Sequence, residues 1–395
     1  MIHFTYHAPT KIVFGKNSEL QCAQLLQEFD AHKVLIHYGG SSALRSGLLH
    51  RVCQCLQDAE IPYITLGGVQ PNPRLSKVNE GIALVKEEAI DFILAVGGGS
   101  VIDSAKAIAY GCVNDGDLWD YFDKKKEITG ALPVGCVATM AAAGSEMSNS
   151  CVITNENGWF KKGLSTEFGY CRFAIINPEL TYTLPAYQTM SGCTDILMHT
   201  LERYFTKEDT LDLVDQIACT LMRDVIKHAR ILLKDPKDYQ SRSEIFWASE
   251  LSHNGITGDR SLGDWACHQL EHELSAVFDV AHGAGLAAVW GSWARYVIDQ
   301  APERFAQLAH FVFDIDELPD KKEMGLKGIK AMETFFQEIG MPTSIPQLGI
   351  TLNDSQIDEL AEKCCHFHKR TIGGIQKLDY TDIKAIYSLA NQSEA

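Results

Sequence analysis

No run of 18 apolar residues occurs in this chain, and its longest apolar stretches are strand-sized, which excludes a membrane-spanning helix. A basic excess is missing too. Against 51 Asp plus Glu there are 35 Lys plus Arg, a formal net charge of -16. Such a balance repels phosphate backbones and anionic lipid, so neither nucleic acid nor a membrane surface is an expected partner. The opening residues, Met1-Ile2-His3-Phe4-Thr5-Tyr6, show no basic region followed by an apolar one, so no secretory signal is expected. Cysteines at zinc-clip spacing are absent as well: Cys53-Gln54-Cys55 and Cys364-Cys365 lie close together, but neither is C-x2-C. Most of the 12 cysteines, Cys136 and Cys151 among them, read as small buried hydrophobes in a reducing cytoplasm. No internal repeat or low-complexity segment stands out.

What remains is an ordinary globular composition of 395 residues, 46% hydrophobic and 22% charged, enough for two domains with a large core. The two halves differ in texture. Up to about residue 178, short β-rich runs alternate with helical patterns: Lys33 to Tyr38, Tyr63 to Leu66, Ile90 to Val96, Pro133 to Ala138 and Phe173 to Ile176 read as strands. Helix-like stretches at 44–58 and 76–88 fall between the first three, the pattern of βαβ units around a parallel sheet. From Pro185 onward, amphipathic helical patterns take over, from Ala186 to Phe205 through to Tyr380 to Ala390. The chain therefore reads as an α/β domain over 1–178 followed by an all-helical domain over 179–395.

Two glycine loops carry the first chemical signal. After the apolar run ending at Val96 come Gly97-Gly98-Gly99-Ser100 and at once a helix containing Asp103 and Lys106. Glycines allow close backbone approach, and a helix start offers unpaired N–H groups and a positive dipole end, which together suit a pyrophosphate. The loop matches neither G-x-G-x-x-G nor a Walker motif, and a plain tight turn is the competing reading. A second loop, Tyr38-Gly39-Gly40-Ser41-Ser42, has small and hydroxyl residues where an NAD site often has a carboxylate, which favours NADP. A third polar cluster runs from Thr139 to Ser150 and includes Gly144-Ser145-Glu146.

The helical half supplies a metal-like constellation. Asp195 and His199, at i and i+4, share one helix face, as half of a metal site or as a hydrogen-bonded pair. His268 and His282 would stand roughly 21 Å apart on one straight helix, so they meet only if the chain breaks near Asp279. His268-Gln269-Leu270-Glu271-His272 also matches the H-x-x-E-H pattern of inverted zinc proteases, a reading that gives the glycine loops no task.

Taken together, these residues resemble the iron-containing (group III) alcohol dehydrogenases, and within them the NADPH-dependent butanol dehydrogenase branch. The resemblance spans nearly the whole chain: Pro71-Asn72-Pro73, Gly97 to Lys106, Gly144-Ser145-Glu146, Asp195 with His199, and His268 to Gly283. It implies a Rossmann-like dinucleotide-binding domain followed by a helical metal-binding domain, a dehydroquinate synthase-like architecture. It further implies one divalent ion, Fe(II) or Zn(II), held by Asp195, His199, His268 and His282. NADP(H) would be contacted by Gly39, Gly40, Ser42, Asn72, Gly98, Gly99, Ser100, Asp103, Thr139, Ser145 and Lys162. His272 resembles the family's proton-relay histidine, with Asp103 and Lys162 as further catalytic candidates. The expected substrate is a small aliphatic alcohol or aldehyde, and the expected assembly is a homodimer. Glycerol dehydrogenase and dehydroquinate synthase-like enzymes usually carry other ligand sets. Two departures stand out. Ala143 replaces the usual Thr before Gly-Ser-Glu, removing a polar cofactor contact, and Glu271 replaces the Gly that many members have before the relay histidine.

Overall fold

The computed structural model describes residues 5–208, 210–259 and 261–392. They form two compact units, His7–Leu184 and, with the few residues before His7, Pro185 onward. The division falls later than the expected residue 178 because the turn after the last strand belongs with the sheet. There the Asn177 side chain donates to Glu19 at 2.9 Å, and Glu179 pairs with Lys16 at 3.1 Å.

The first unit is built on β1 (Lys11–Phe14), β2 (Val34–Tyr38), β3 (Tyr63–Leu66), β4 (Phe92–Gly97), β5 (Val134–Ala138) and, after a hairpin of β6 (Ser150–Asn155) and β7 (Phe160–Ser165), β8 (Phe173–Ile176). Six strands make one sheet in the order β1-β8-β5-β4-β2-β3, every pairing parallel. Parallel strands need crossovers, and α1 (Cys22–Glu28), α2 (Ser41–Arg45), α3 (Leu48–Asp58), α4 (Leu75–Glu87), α5 (Gly99–Val113) and α6 (Trp119–Phe122) occupy the connections. Strands covered on both faces must be apolar throughout, which is why β4 reads as an unbroken apolar run. Its alternate residues feed two cores: Phe92, Leu94 and Val96 join Leu26, Val52 and Phe173 on one face, and Ile93 and Ala95 join Ile102, Ile108 and Val78 on the other.

The antiparallel hairpin β6–β7 is not among the strands expected from the sequence. Its second strand turns Lys161 inward and Phe160 only partly so, which hides the usual apolar alternation. The expected helix over 44–58 is two helices, α2 and α3, separated at Gly47, whose φ of 71° ends the first.

The second unit is helical: α7 (Ala186–Tyr204), α8 (Asp212–Lys234), α9 (Tyr239–His253), α10 (Ala266–Phe278), α11 (His282–Val297), α12 (Pro302–Phe313), α13 (Lys321–Glu338), α14 (Asp354–Cys364) and α15 (Tyr380–Ala390). The face of α7 that carries Asp195 is buried along almost its whole length. Among the described residues no helix is long and apolar enough to cross a membrane. None of the cysteines is in a disulfide, and Cys136 and Cys151 are fully buried.

Candidate active site

In the sheet unit, chain order reverses between β2 and β4. β2 is followed outward by β3, while β4 is followed in the other direction by β5. Open α/β sheets bind ligands outside the carboxyl ends of the strands at such a switch point. Both glycine loops stand there: Tyr38 and Val96 are register partners, so Gly39-Gly40 and Gly97-Gly98-Gly99 leave adjacent strand ends. The third loop joins them, since the Thr139 amide donates to the Gly97 carbonyl at 3.1 Å. No side chain caps α5, which starts at Gly99; the Val101 and Ile102 amides donate to the Gly98 carbonyl at 2.9 and 3.2 Å, and an uncapped helix start of this kind suits an anion. Gly97 serves close packing here rather than left-handed backbone: a Cβ there would fall 2.4 Å from the Val101 side chain.

Around these loops the expected cofactor residues take distinct places. Asp103 has both oxygens engaged, one accepting from the Ser145 hydroxyl at 2.6 Å and one from the Val152 amide at 2.9 Å. Burial raises its pKa against the pull of Lys106 and these bonds. Lys106 donates to the carbonyls of Ser145, Ser148 and Ser150 at 2.6, 2.8 and 3.1 Å. Asp103 and Lys106 thus hold the 145–152 segment beside the glycine loops. Lys162 is not brought to the loops: it pairs with Asp123 at 2.7 Å and lies over the rings of Trp119 and Phe160. Its neighbour Lys161, on the opposite face of β7, is buried and donates to Asn72 Oδ1 at 2.9 Å. The two-residue period of a strand is the signal that separates the two lysines.

In the helical unit, α10 ends at Asp279, which adopts the left-handed conformation with φ 53°, and α11 begins at His282. The chain therefore breaks near Asp279, the condition for the two histidines to meet, and the rings of His268 and His282 approach to 5.3 Å. Gly283 allows this: a Cβ there would stand 2.0 Å from the carbonyl oxygen of Ser191, one turn before Asp195 on α7. His268 Nε2 and His282 Nε2 then lie 3.8 and 3.6 Å from the same atom, Asp195 Oδ1. Asp195 Oδ1 and His268 Nε2 are both buried without a hydrogen-bond partner. Two donors bound to one ion at about 2.1 Å each stand about 3.4 Å apart at a tetrahedral angle, so this spacing and the donor set fit a divalent cation.

His199 lies beside them, its ring 4.5 Å from that of His268. Its Nδ1 faces the Asp195 carbonyl at 3.0 Å and Asp195 Oδ1 at 3.2 Å, so it joins the cluster through Asp195 rather than as one of the three converging atoms. Burial lowers the pKa of His199 to about 4, keeping the imidazole neutral. Burial opposes the charge on Asp195, but the surrounding histidines outweigh it and hold the carboxyl well below its usual range.

Two carboxylates lie behind the histidines. Glu202 Oε1 accepts the His268 amide at 3.0 Å and stands 3.2 Å from His268 Nδ1. Glu271 contacts His282 Nδ1 through one oxygen and the Ser275 hydroxyl through the other. Glu202 goes unnoticed in the sequence, although it follows Asp195 and His199 on one face of α7. Glu271, read there as a departure, is the residue that contacts His282. His272 stands one turn beyond His268, and with Glu271 and His282 it forms a second group of donor atoms within 4.8 Å of one another.

Comparisons with known proteins identify the family. Residues 9–178 match the family described as iron-containing alcohol dehydrogenase, and residues 189–391 match the Fe-containing alcohol dehydrogenase family, C-terminal. The chain belongs to the iron-containing alcohol dehydrogenase family, oxidoreductases that act on CH–OH groups with NAD(P). It is 39% identical over 387 residues to a probable NADH-dependent butanol dehydrogenase 1 of Bacillus subtilis, covering 98% of this chain and 99% of that one. It is 34% identical to an NADPH-dependent aldehyde reductase of Escherichia coli, over 92% of this chain and 93% of that one. Among solved structures it is similar to an NADH-dependent butanol dehydrogenase A of Thermotoga maritima, with a TM-score of 0.94, 36% identity and 99% of each chain covered.

Proposed function

We propose that this alcohol dehydrogenase/aldehyde reductase uses NADP(H) and one divalent ion, Fe(II) or Zn(II), to interconvert small aliphatic alcohols and aldehydes. The convergence of His268 Nε2 and His282 Nε2 on Asp195 Oδ1 carries the metal reading. Asp195, His268, His282 and, through Nε2, His199 would hold the ion, which when bound supplies Lewis-acid stabilisation of negative charge on the substrate oxygen. Imidazole and carboxylate donors suit iron and zinc alike.

Gly39, Gly40, Gly98, Gly99 and Ser100 form the phosphate seat in this reading, with Ser42, Asn72, Thr139 and Ser145 around it. Lys161, held against Asn72, is the lysine on the cofactor side. The preference for NADP(H) rests on the 39–45 segment, which has no carboxylate and carries Arg45. Relatives do not decide it, since NADH and NADPH both occur in their names. His272, one turn beyond His268 and beside the donor cluster, is the proton relay in this reading. A cytoplasmic homodimer with no nucleic-acid or membrane partner completes the proposal.

The experiment is oxidation of NADPH and of NADH with butyraldehyde, using protein loaded anaerobically with Fe(II) or Zn(II). Metal-dependent turnover favouring NADPH is the expected result. Equal or better turnover with NADH removes the cofactor preference, and turnover unaffected by metal removal rejects the proposed centre.

A further inference from the structure

We infer that Glu202 and Glu271 are positioning residues of the metal centre, each holding the Nδ1 side of one histidine so that Nε2 is the nitrogen presented to the ion. The inference rests on the ligand reading above. It concerns what fixes those ligands, their tautomers and the grip of the site.

Both carboxylates are buried, Glu271 completely and Glu202 all but 3%. Burying a carboxylate is costly unless it is paired, so each needs a partner that justifies its place. For Glu202 that partner is His268, contacted at both its backbone N–H and its ring Nδ1. For Glu271 the partners are His282 Nδ1 and the Ser275 hydroxyl, which leave its two oxygens in fixed directions. The packing is shaped around Glu271: a Cβ on Gly285, one turn into α11 from His282, would stand 2.8 Å from Glu271 Cγ and 3.0 Å from Oε1.

The consequence is a common pattern. His199, His268 and His282 each have Nδ1 against an oxygen, the first a backbone carbonyl and the other two carboxylates. An oxygen at Nδ1 places the proton there and leaves the Nε2 lone pair for a ligand bond. A carboxylate does more than a carbonyl, because its charge raises the basicity of the imidazole, and loss of such a partner typically weakens metal binding 10- to 100-fold. His268 and His282 are therefore the tuned ligands of the site, each tied to a different helix: His268 to α7 through Glu202, and His282 to α10 through Glu271. Glu271 is the acceptor behind His282.

The test uses the full chain in four variants: Glu271→Gln, Glu271→Ala, Glu202→Gln and, as a reference, Asp195→Ala. Zinc dissociation constants are measured by competition with a chromogenic chelator, Co(II) absorption reports the ligand set, and thermal unfolding of metal-free protein reports the fold. Glu271→Ala is expected to weaken zinc about 10- to 100-fold while keeping the wild-type Co(II) band pattern. Glu271→Gln and Glu202→Gln should fall between it and wild type, because an amide oxygen still accepts from Nδ1. Should Glu271→Ala fail to fold, the two Gln variants carry the same test. Zinc constants within twofold of wild type in folded variants would overturn the inference. So would a Glu271→Gln variant that loses the Co(II) bands as completely as Asp195→Ala, since that would make Glu271 a ligand. Failure of the underlying reading looks different: wild type binding no zinc, or Asp195→Ala binding it as wild type does, overturns both.

Discussion

The two candidate functional regions of this chain are made of different material. The sheet unit offers a seat of backbone: two glycine loops at adjacent strand ends and an uncapped helix start, with side chains such as Asp103 and Lys106 employed behind the loop they hold. The helical unit offers a centre of side chains, in which Asp195, His268 and His282 converge from three helices and Glu202 and Glu271 stand behind them. A backbone seat survives many substitutions and owes its phosphate preference to a few residues at its edge. A side-chain centre fails with the loss of any one member.

The largest expected effect breaks the two regions apart. His268→Ala should abolish stoichiometric metal and lower turnover by about 10³-fold or more, the scale of several kcal/mol of Lewis-acid stabilisation. Binding of NADPH, followed by fluorescence titration, should stay within about twofold. A parallel loss of nucleotide affinity would show that the two sites are not separable.

Next in size is a change at the edge of the seat. A Cβ at Gly40 would meet nothing within 4 Å, so Gly40→Asp adds a charge without a clash. The ratio of kcat/KM for NADPH over NADH should drop about 10- to 100-fold, as for repulsion of a 2′-phosphate by one to two tenfold steps of affinity, with metal content unchanged. An unchanged ratio would remove this loop from phosphate recognition.

Smaller still is the contrast between neighbouring lysines. Lys161→Met should raise KM for the cofactor about tenfold, the loss of one charged hydrogen bond, whereas Lys162→Met should alter it by less than about twofold. Steady-state kinetics on the two variants would reverse the assignment if Lys162 proved the sensitive one.

The smallest effect on activity is expected at His37, which the chemistry does not use. Its ring bridges the Leu66 carbonyl and the Ser104 hydroxyl, both at 2.9 Å, and burial lowers its pKa to about 4. Above pH 6.5 folded and unfolded chains both carry it neutral, and its contribution is complete. As pH falls from 6.5 toward 4 the unfolded chain takes a proton that the folded one refuses, so stability declines, by about 3 kcal/mol at most from this residue. Thermal unfolding across that range should show a shallower decline in His37→Gln than in wild type. Equal slopes would mean another group governs the acid side.

Most of the architecture is legible in the sequence because buried parallel strands are unbroken apolar runs and amphipathic helices are periodic. Val34 to Ile36 and Phe92 to Gly97 announce themselves in that way, and a break near Asp279 is the condition for His268 and His282 to meet. The hairpin is hidden because its inward residue is a lysine, Lys161. Glu202 is hidden for a different reason. Its position on the Asp195 face of α7 is periodic, but its partner lies 66 residues away on α10, a meeting that only tertiary packing creates.

The most direct test of the account is anomalous diffraction from crystals loaded with Zn(II) or Fe(II). The expected result is one peak per chain, about 2.0–2.2 Å from Asp195, His268 Nε2 and His282 Nε2, with His199 Nε2 completing the set. A peak held instead by Glu271 and His272, or no peak at these helices at all, would contradict it.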